Sequence, residues 1–399
     1  MNQNISRLCG ISGKSTRLII GLMSGTSLDG LDVALCRFTG SGPGTRIELL
    51  AFQTCSYDTR FKEEVRAVFS KRNIDLEQLC LLNGWVAQQH AAMILQCLDK
   101  WKVKPEEVDL IASHGQTIYH APRLLHQRPG FGNATLQIGD GDQLAVATGI
   151  ITISDFRQKH IAAGGEGAPL AVYGDYFIFS KQGENRIMLN IGGIANFTYL
   201  PGDLDAKAIF STDTGPGNTL MDAYMQQYFQ LPFDKDAAVA SAGTIQESLL
   251  AELLKHAFFE KGFPKTTGPE LFNLAYLNQA MANAGIKTIS HEDVMATLNR
   301  FSAVTIADAM RQTLNSGQPF IIYTSGGGMH NPLLVRHMQE LLPGFVFHTT
   351  DELEINPDAK EALLFAVLAN ECVAGGDTHI GNGSNDIPSV SMGKISLPG

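Results

Sequence analysis

Long apolar runs are missing from this 399-residue chain, and with them any segment able to cross a bilayer as a helix. The first 16 residues are polar and carry no apolar stretch of the kind an export signal needs, so the expectation is a cytoplasmic protein with no membrane partner. Arg7-Leu8-Cys9-Gly10 faintly resembles a lipoprotein cleavage site, but the hydrophobic segment that must precede one is lacking. Cysteine is sparse: Cys9, Cys36, Cys55, Cys80, Cys97 and Cys372 show no CxxC spacing, which excludes a disulfide-stapled secreted module and leaves reduced thiols as the simplest reading. Basic residues are few, 30 Lys and Arg against 40 Asp and Glu, and the formal charge of -10 argues against a nucleic-acid binder. Any anionic ligand must be held by local donors.

What is present fits a globular enzyme, with 44% hydrophobic and 18% charged residues. The length exceeds what one core usually supports, so two lobes are expected. Leu18 to Ile20 reads as a strand, Met23 to Gly30 as a polar glycine-bearing bend and Leu31 to Phe38 as a second strand. Helical spacing dominates Phe61 to Lys100. Val108 to Ala112 is a further strand, running into Ser113-His114-Gly115-Gln116-Thr117 at the end where α/β folds place ligands. The second half echoes the first: strand Arg186 to Ile191, a glycine bend from Gly192 to Asn196, strand Phe197 to Leu200, then Ala208 to Ser211 leading into Asp213-Thr214-Gly215-Pro216-Gly217-Asn218. A helix is expected from Thr219, others over Gln246–His256 and Ser290–Leu314, a strand over Phe320–Thr324 and a last helix from Ala359. The tail beyond Gly375, rich in Gly, Asn, Ser and Pro, reads as loosely ordered.

Three glycine-rich bends each follow a strand: Gly21 to Gly30, Gly192-Gly193, and Ser325-Gly326-Gly327-Gly328. Glycines let backbone N–H groups approach phosphate oxygens, and three such bends together point to a nucleotide cradle. Gly13-Lys14-Ser15-Thr16 imitates the end of a P-loop, yet Leu8 stands where its first glycine belongs and no strand precedes it. Asp213 is either a helix N-cap or a catalytic carboxylate; the helix starts several residues later, which favours catalysis. Asp155 is equally a ligand group or the ion-pair partner of Arg157. His114, Gln116 and Thr117 offer neutral donors and acceptors suited to sugar hydroxyls, although a loop histidine satisfied by its neighbours fits too. Glu361 lies in the first turn of an apolar helix, where the dipole alone favours a carboxylate. His120 and His126 have no metal-ligand spacing with His114.

Taken together, GLMSGTSLDGLDVAL from Gly21, SHGQT from Ser113, QIGD from Gln137, DFR from Asp155, GAPL from Gly167, NIGG from Asn190, DTGPGN from Asp213, SGGG from Ser325 and Lys360-Glu361-Ala362 resemble the anhydro-N-acetylmuramic acid kinase family. That family is a branch of the sugar kinase, Hsp70 and actin superfamily, and the resemblance covers Arg17 to Gly375. It implies an α/β fold of two actin-like (ribonuclease H-like) lobes with a cleft between them: lobe I over 17–155, with 373–399 packing back on it, and lobe II over 156–372, preceded by a flexible extension over 1–16. It implies ATP and Mg²⁺ as cofactors. ATP contacts would come from Gly21, Met23, Ser24, Gly25, Thr26, Ser27, Asp29, Gly30, Gly192, Gly193, Gly215, Asn218 and Ser325 to Gly328, with Asp29 a further candidate behind the metal's direct ligands. Asp213 matches the family's general base, and His114, Gln116, Thr117, Asp155 and Glu361 would contact the sugar. The reaction implied opens the 1,6-anhydro bridge of 1,6-anhydro-N-acetylmuramic acid with water and phosphorylates O6, in the recycling of cell-wall peptidoglycan. The partner is then a small sugar rather than a nucleic acid or membrane, and a homodimer is compatible with it.

Two positions depart from the family pattern. Glu166 stands where the family usually has Gln, exchanging an amide donor for a carboxylate, and His160 stands where it usually has an acid. Two rival readings use the same residues: an ordinary sugar or carboxylic-acid kinase in which Asp213 deprotonates a substrate hydroxyl, and a sugar sensor without turnover, motivated by Glu166.

Overall fold

The computed structural model describes residues 2–313, 320–353, 355–376, 378–381 and 387–399. Contacts divide the chain into two units, Met1–Ser180 with Asp205–Ala208 and Ile355–Gly399, and Lys181–Leu204 with Ile209–Glu354. The expected boundaries were 155/156 and 372/373; residues 156–180 and 355–372 instead group with the first unit.

The first unit is built on a seven-stranded sheet of β1 (Thr16–Ser24), β2 (Gly30–Thr39), β3 (Arg46–Ser56), β4 (Leu110–Ala121), β5 (Ala134–Ile138), β6 (Thr152–Ser154) and β12 (Lys394–Ser396). Its order is β12-β6-β4-β1-β2-β3, with β5 pairing on β4. β1 to β3 are antiparallel neighbours, while β4 runs parallel to both β1 and β6. The helices are α1 (Gln3–Ser12), α2 (Thr59–Val68), α3 (Leu76–Trp101), α4 (Arg123–His126), α5 (Gly141–Thr148), α6 (Phe156–Ala162), α7 (Ala171–Phe179) and α14 (Lys360–Ala374).

Asp75 caps α3 by accepting from the Glu77 and Gln78 amides, and α3 lays Val86 and Ile94 against Ile20, Leu22, Val33, Ile111 and Ile118. α14 packs against β1 and β4, and its residues Ala362 to Ala369 are all buried. It approaches so closely that a Cβ at Gly21 would lie 1.9 Å from the Ala362 carbonyl oxygen. This packing is why the late helix joins the first unit. The stretch expected as a flexible extension forms α1 instead, tied down by Arg7 donating to the Gly149 and Val108 carbonyls and Asn4 donating to that of Pro398. The tail expected to be loose ends in β12, paired antiparallel with β6; residues 377 and 382–386 lie outside the described residues.

The second unit carries the five-stranded order β11-β10-β7-β8-β9, with β7 (Asn185–Ile191), β8 (Ile194–Leu200), β9 (Phe210–Pro216), β10 (Phe320–Ser325) and β11 (Val346–Thr349). Its helices are α8 (Thr219–Phe229), α9 (Ala238–Ala242), α10 (Glu247–Leu253), α11 (Leu274–Asn283), α12 (His291–Thr313) and α13 (Pro332–Leu341). Leu314, the expected end of the helix that forms α12, lies outside the described residues. Ile306 and Met310 of α12 and Leu334 and Met338 of α13 close one core with Ile187, Leu189, Ile191 and Phe197.

The path β6-β4-β1-β2-β3 has the same order and strand directions as β11-β10-β7-β8-β9, so the internal echo in the sequence is a topological repeat. Its correspondence differs from the expected one. The strand leading to Asp213 is the counterpart of β3, and the counterpart of β4 is β10, which leads into Ser325–Gly328. Replacing Gly21 with Ala is expected to destabilise the protein by about 1–3 kcal/mol or more, because the new methyl meets backbone rather than a yielding side chain. Chemical denaturation of the two proteins measures this.

Candidate active site

In the first unit the turn between β1 and β2 spans Gly25 to Asp29. Leu28, at φ +60° and 2% exposed, anchors it in the core. Thr26, Ser27 and Asp29 are exposed, which leaves two hydroxyls and a carboxylate at the surface of the turn. A buried chain of hydrogen bonds braces the turn. Ser24 Oγ donates to Gln116 Oε1 at 2.5 Å and lies 2.7 Å from Tyr57 Oη, which is 2.9 Å from His90 Nε2. Burial pushes His90 down to about 4, so at neutral pH its ring is uncharged and can end the chain as an Nε2–H donor.

Gln116 has 0% exposure and spends its amide on the Gly25 and Thr117 carbonyls. This residue, expected to face sugar, is thus an internal brace. Gly21 and Gly30 also have a different role from the expected one: a Cβ at Gly30 would lie 2.5 Å from the Cys55 carbonyl oxygen, so both glycines admit neighbouring backbone.

Ser113 to Thr117, expected at a strand end, lie inside β4, because β5 replaces β6 as its partner and the ladder continues. His114 is buried, with its ring centroid 4.7 Å from that of Phe365. Arg157 Nε donates to its Nε2 at 2.9 Å, which places the ring proton on Nδ1, 2.8 Å from the Gly115 carbonyl. Burial and the Arg157 charge push His114 down to about 3, leaving it a neutral positioning group. Thr117 is half-buried and accepts from Gln137 Nε2. Arg157 also donates to the Gly167 carbonyl at 2.7 Å. Crowding by protein, with Asp32 adding to it, raises the carboxyl of Glu361, while Arg157 and Lys360 oppose. Asp155, in the left-handed region at φ +54°, accepts from Lys394 rather than pairing with Arg157. It and His114 line a polar cavity of 340 Å³ at the fork where β5 takes over from β6, together with Ser113, Asp140 and Lys394. Gln116, Thr117 and Glu361 do not line it.

His160 is fully buried and accepts the Gly167 amide on Nδ1 at 2.9 Å. Burial holds it down at about 4, so this departure from the family pattern is a neutral brace for the loop carrying the exposed Glu166.

In the second unit three glycine-bearing segments meet around Ile191 and Gly192. A Cβ at Gly328 would lie 2.2 Å from Ile191 Cγ2, one at Gly326 2.7 Å from the Ile191 carbonyl oxygen, and one at Gly217 2.3 Å from the Gly192 carbonyl oxygen. The amides of Gly217 and Asn218 donate to the Gly193 and Gly192 carbonyls at 2.8 and 2.9 Å. The bend between β7 and β8 is only Gly192-Gly193, since pairing resumes at Ala195 with Ile191. Gly215, expected at the nucleotide, is buried with its Cα facing Phe259 and Thr305.

Asp213 lies within β9, opposite Asn196, and not on the loop before the helix as expected, because the pairing with β8 runs on to Pro216. The helix-cap alternative fails: α8 begins at Thr219 and its N-cap is Asn218. The Asp213 amide donates to the Lys265 carbonyl at 2.9 Å, and its Oδ2 accepts from the Thr267 amide at 2.8 Å. Among the described residues no hydrogen-bond donor reaches Oδ1. Burial pushes the carboxyl up to about 6, with the Thr267 amide pulling the other way. Lys265 and Thr267 are separated from Asp213 by more than fifty residues of chain, and no local pattern in the sequence announces the clamp.

The sequence profile of the family described as anhydro-N-acetylmuramic acid kinase matches residues 17–396. A protein of that name from Pseudoalteromonas atlantica is 58% identical over the full length of both chains. Another from Caldanaerobacter subterraneus is 37% identical over 98% of this chain and all of its own. Among solved structures, a ROK hexokinase from Thermus thermophilus is 14% identical with a TM-score of 0.36, covering 88% of this chain and 96% of that chain. With a profile match over nearly its whole length and relatives this similar, the chain belongs to the anhydro-N-acetylmuramic acid kinase family.

Proposed function

We propose that this enzyme opens the 1,6-anhydro bridge of 1,6-anhydro-N-acetylmuramic acid with water and transfers the γ-phosphoryl group of ATP to O6, yielding N-acetylmuramic acid 6-phosphate and ADP in cytoplasmic peptidoglycan recycling. The observation that carries the mechanism is the state of Asp213. One carboxylate oxygen is fixed by a backbone amide, the other meets no donor among the described residues, and burial raises the group to a pKa of about 6. A general base works best when its pKa lies just below the working pH, where it is ionised yet still basic.

Asp213 takes a proton from a water as that water's oxygen attacks the anomeric carbon. The C1–O6 bond breaks, and O6 carries its electron pair to the γ-phosphorus while the bond to the β,γ-bridging oxygen breaks. Phosphate donors are available within each unit: the exposed hydroxyls of Thr26 and Ser27 in the first, and the backbone of the Gly192-Gly193 bend and of the glycines after β10 in the second. Phosphoryl transfer requires mainly such positioning and charge neutralisation. Bound Mg²⁺ would neutralise phosphate charge. The ion would be held mainly by phosphate oxygens and water, and Asp29, an exposed carboxylate on the turn after β1, would be the residue to hold its waters. On the sugar side Thr117, Asp155 and Glu361 supply acceptors and a hydroxyl, with His114 and Arg157 holding the framework behind them.

Asp213→Asn is expected to lower kcat by roughly 10²- to 10⁴-fold while leaving nucleotide binding intact. Near-wild-type turnover of that variant would remove the base from Asp213. Because the carboxylate must be ionised to accept the proton, kcat/KM falls below about pH 6 and levels off above it; a pH–rate profile of the wild-type enzyme locates that limb. Reaction in ¹⁸O-labelled water is expected to place the label at the anomeric carbon. Unlabelled sugar phosphate would instead favour an ordinary kinase in which Asp213 deprotonates a substrate hydroxyl.

A further inference from the structure

The six cysteines are free, yet two are neighbours: Cys55 Sγ on β3 lies 3.4 Å from Cys97 Sγ on α3. A disulfide needs about 2.05 Å, so a closure of roughly 1.4 Å between a strand end and a helix would join them. No other sulfur–sulfur contact occurs among the described residues. The two sites differ in access and polarity. Cys97 is 1% exposed, whereas Cys55 is half-buried beside the amide of Gln53, whose Oε1 accepts from Lys100 Nζ at 2.8 Å. The hydrogen bond from Cys97, with smaller help from Gln53 and Lys100, pulls the Cys55 thiol down to about 7, while the same contact and burial push Cys97 up. That is the asymmetry of an attacking thiolate with a resolving thiol behind it. By contrast, Cys36 is fully buried and pushed up to about 12.

We propose that Cys55 and Cys97 are a modification site, a dithiol that peroxides oxidise to a reversible disulfide tying β3 to α3. The Cys55 thiolate attacks one oxygen of hydrogen peroxide; the S–O bond forms, the O–O bond breaks, and hydroxide leaves and is protonated to water. Cys97 then attacks the Cys55 sulfenic sulfur: the S–S bond forms, the S–O bond breaks, and the departing hydroxide takes the Cys97 proton as a second water. Two thiols and one peroxide become one disulfide and two waters, and a small dithiol reverses the step. The position gives the bond a consequence. Cys55 pairs with Leu31 across the sheet, and two residues on, the Tyr57 amide donates to the Asp29 carbonyl at 3.1 Å. The disulfide therefore fixes the strand end that braces the Gly25–Asp29 turn. This inference concerns the first unit's own thiols and stands apart from the catalytic reading of Asp213.

The test treats full-length wild-type protein with hydrogen peroxide, removes the peroxide, denatures and alkylates the protein, and maps peptides by mass spectrometry without reduction. The expected result is a peptide pair cross-linked through Cys55 and Cys97, two of six alkylatable thiols lost, and both recovered with dithiothreitol. In Cys97→Ala, dimedone is expected to trap Cys55 as its sulfenic acid. The proposal is overturned if Cys55 and Cys97 remain alkylatable while the exposed Cys9 or Cys80 is oxidised, or if any disulfide found joins other cysteines. The wild-type map decides this whether or not the variant folds.

Discussion

α14 lies on β1 with backbone against backbone, and the first unit's chemistry hangs on that contact. Because Gly21 contributes only hydrogen, the Ala362 carbonyl sits where any other residue would have its side chain. The rest of the helix is then fixed in register along the sheet. Phe365 meets the His114 ring, and Glu361 is brought into the field of Arg157. Further along, Asn370 accepts from the buried Arg17 at 2.7 Å and Glu371 accepts from the Gly42 amide at 2.9 Å. One close approach thus sets where several polar groups lie.

The second unit solves a related problem with several glycines rather than one. Ile191 and Gly192 are the hub: Gly326 and Gly328 after β10 pass Ile191, and Gly217 after β9 passes Gly192, at distances that side chains would forbid. Polar backbone is thereby concentrated at the ends of adjacent strands, the place where α/β sheets recognise ligands. Asp213 sits on β9, beyond β8 from Ile191, under a different constraint. Burial strengthens its basicity, and the Thr267 amide limits the effect by stabilising the charged form, so one environment sets both orientation and proton affinity.

Much of this was legible in the residue order, for reasons that can be named. β1, β2, β7 and β10 are apolar runs bounded by glycine and polar clusters, and their period and punctuation survive in the fold. The doubled strand order could be read as an echo, but not its correspondence, because strand neighbours in a sheet are set by pairing at long range. The same limit explains the misplacement of Ser113–Thr117 and Asp213: each lies in a strand that continues only because a distant partner extends the ladder. Gln116, Gly21 and Gly30 belong to motifs that read as ligand contacts, yet they are spent on internal bracing and close packing. Lys265, Thr267, Lys394 and the Cys55–Cys97 contact carry no local signal, since each acquires meaning only from a neighbour far away in the chain.

The first unit is assembled from three separate stretches of chain, and the helix that completes its sheet face comes from the last of them. During synthesis from the amino terminus, β1 and β4 therefore emerge with Gly21 and His114 uncovered, and they stay so while the whole second unit is made. Only when residues past 355 leave the ribosome can α14 cover that face. A chain stopped short of α14 would leave that apolar sheet face uncovered, the kind of exposed surface that makes incomplete chains prone to aggregate.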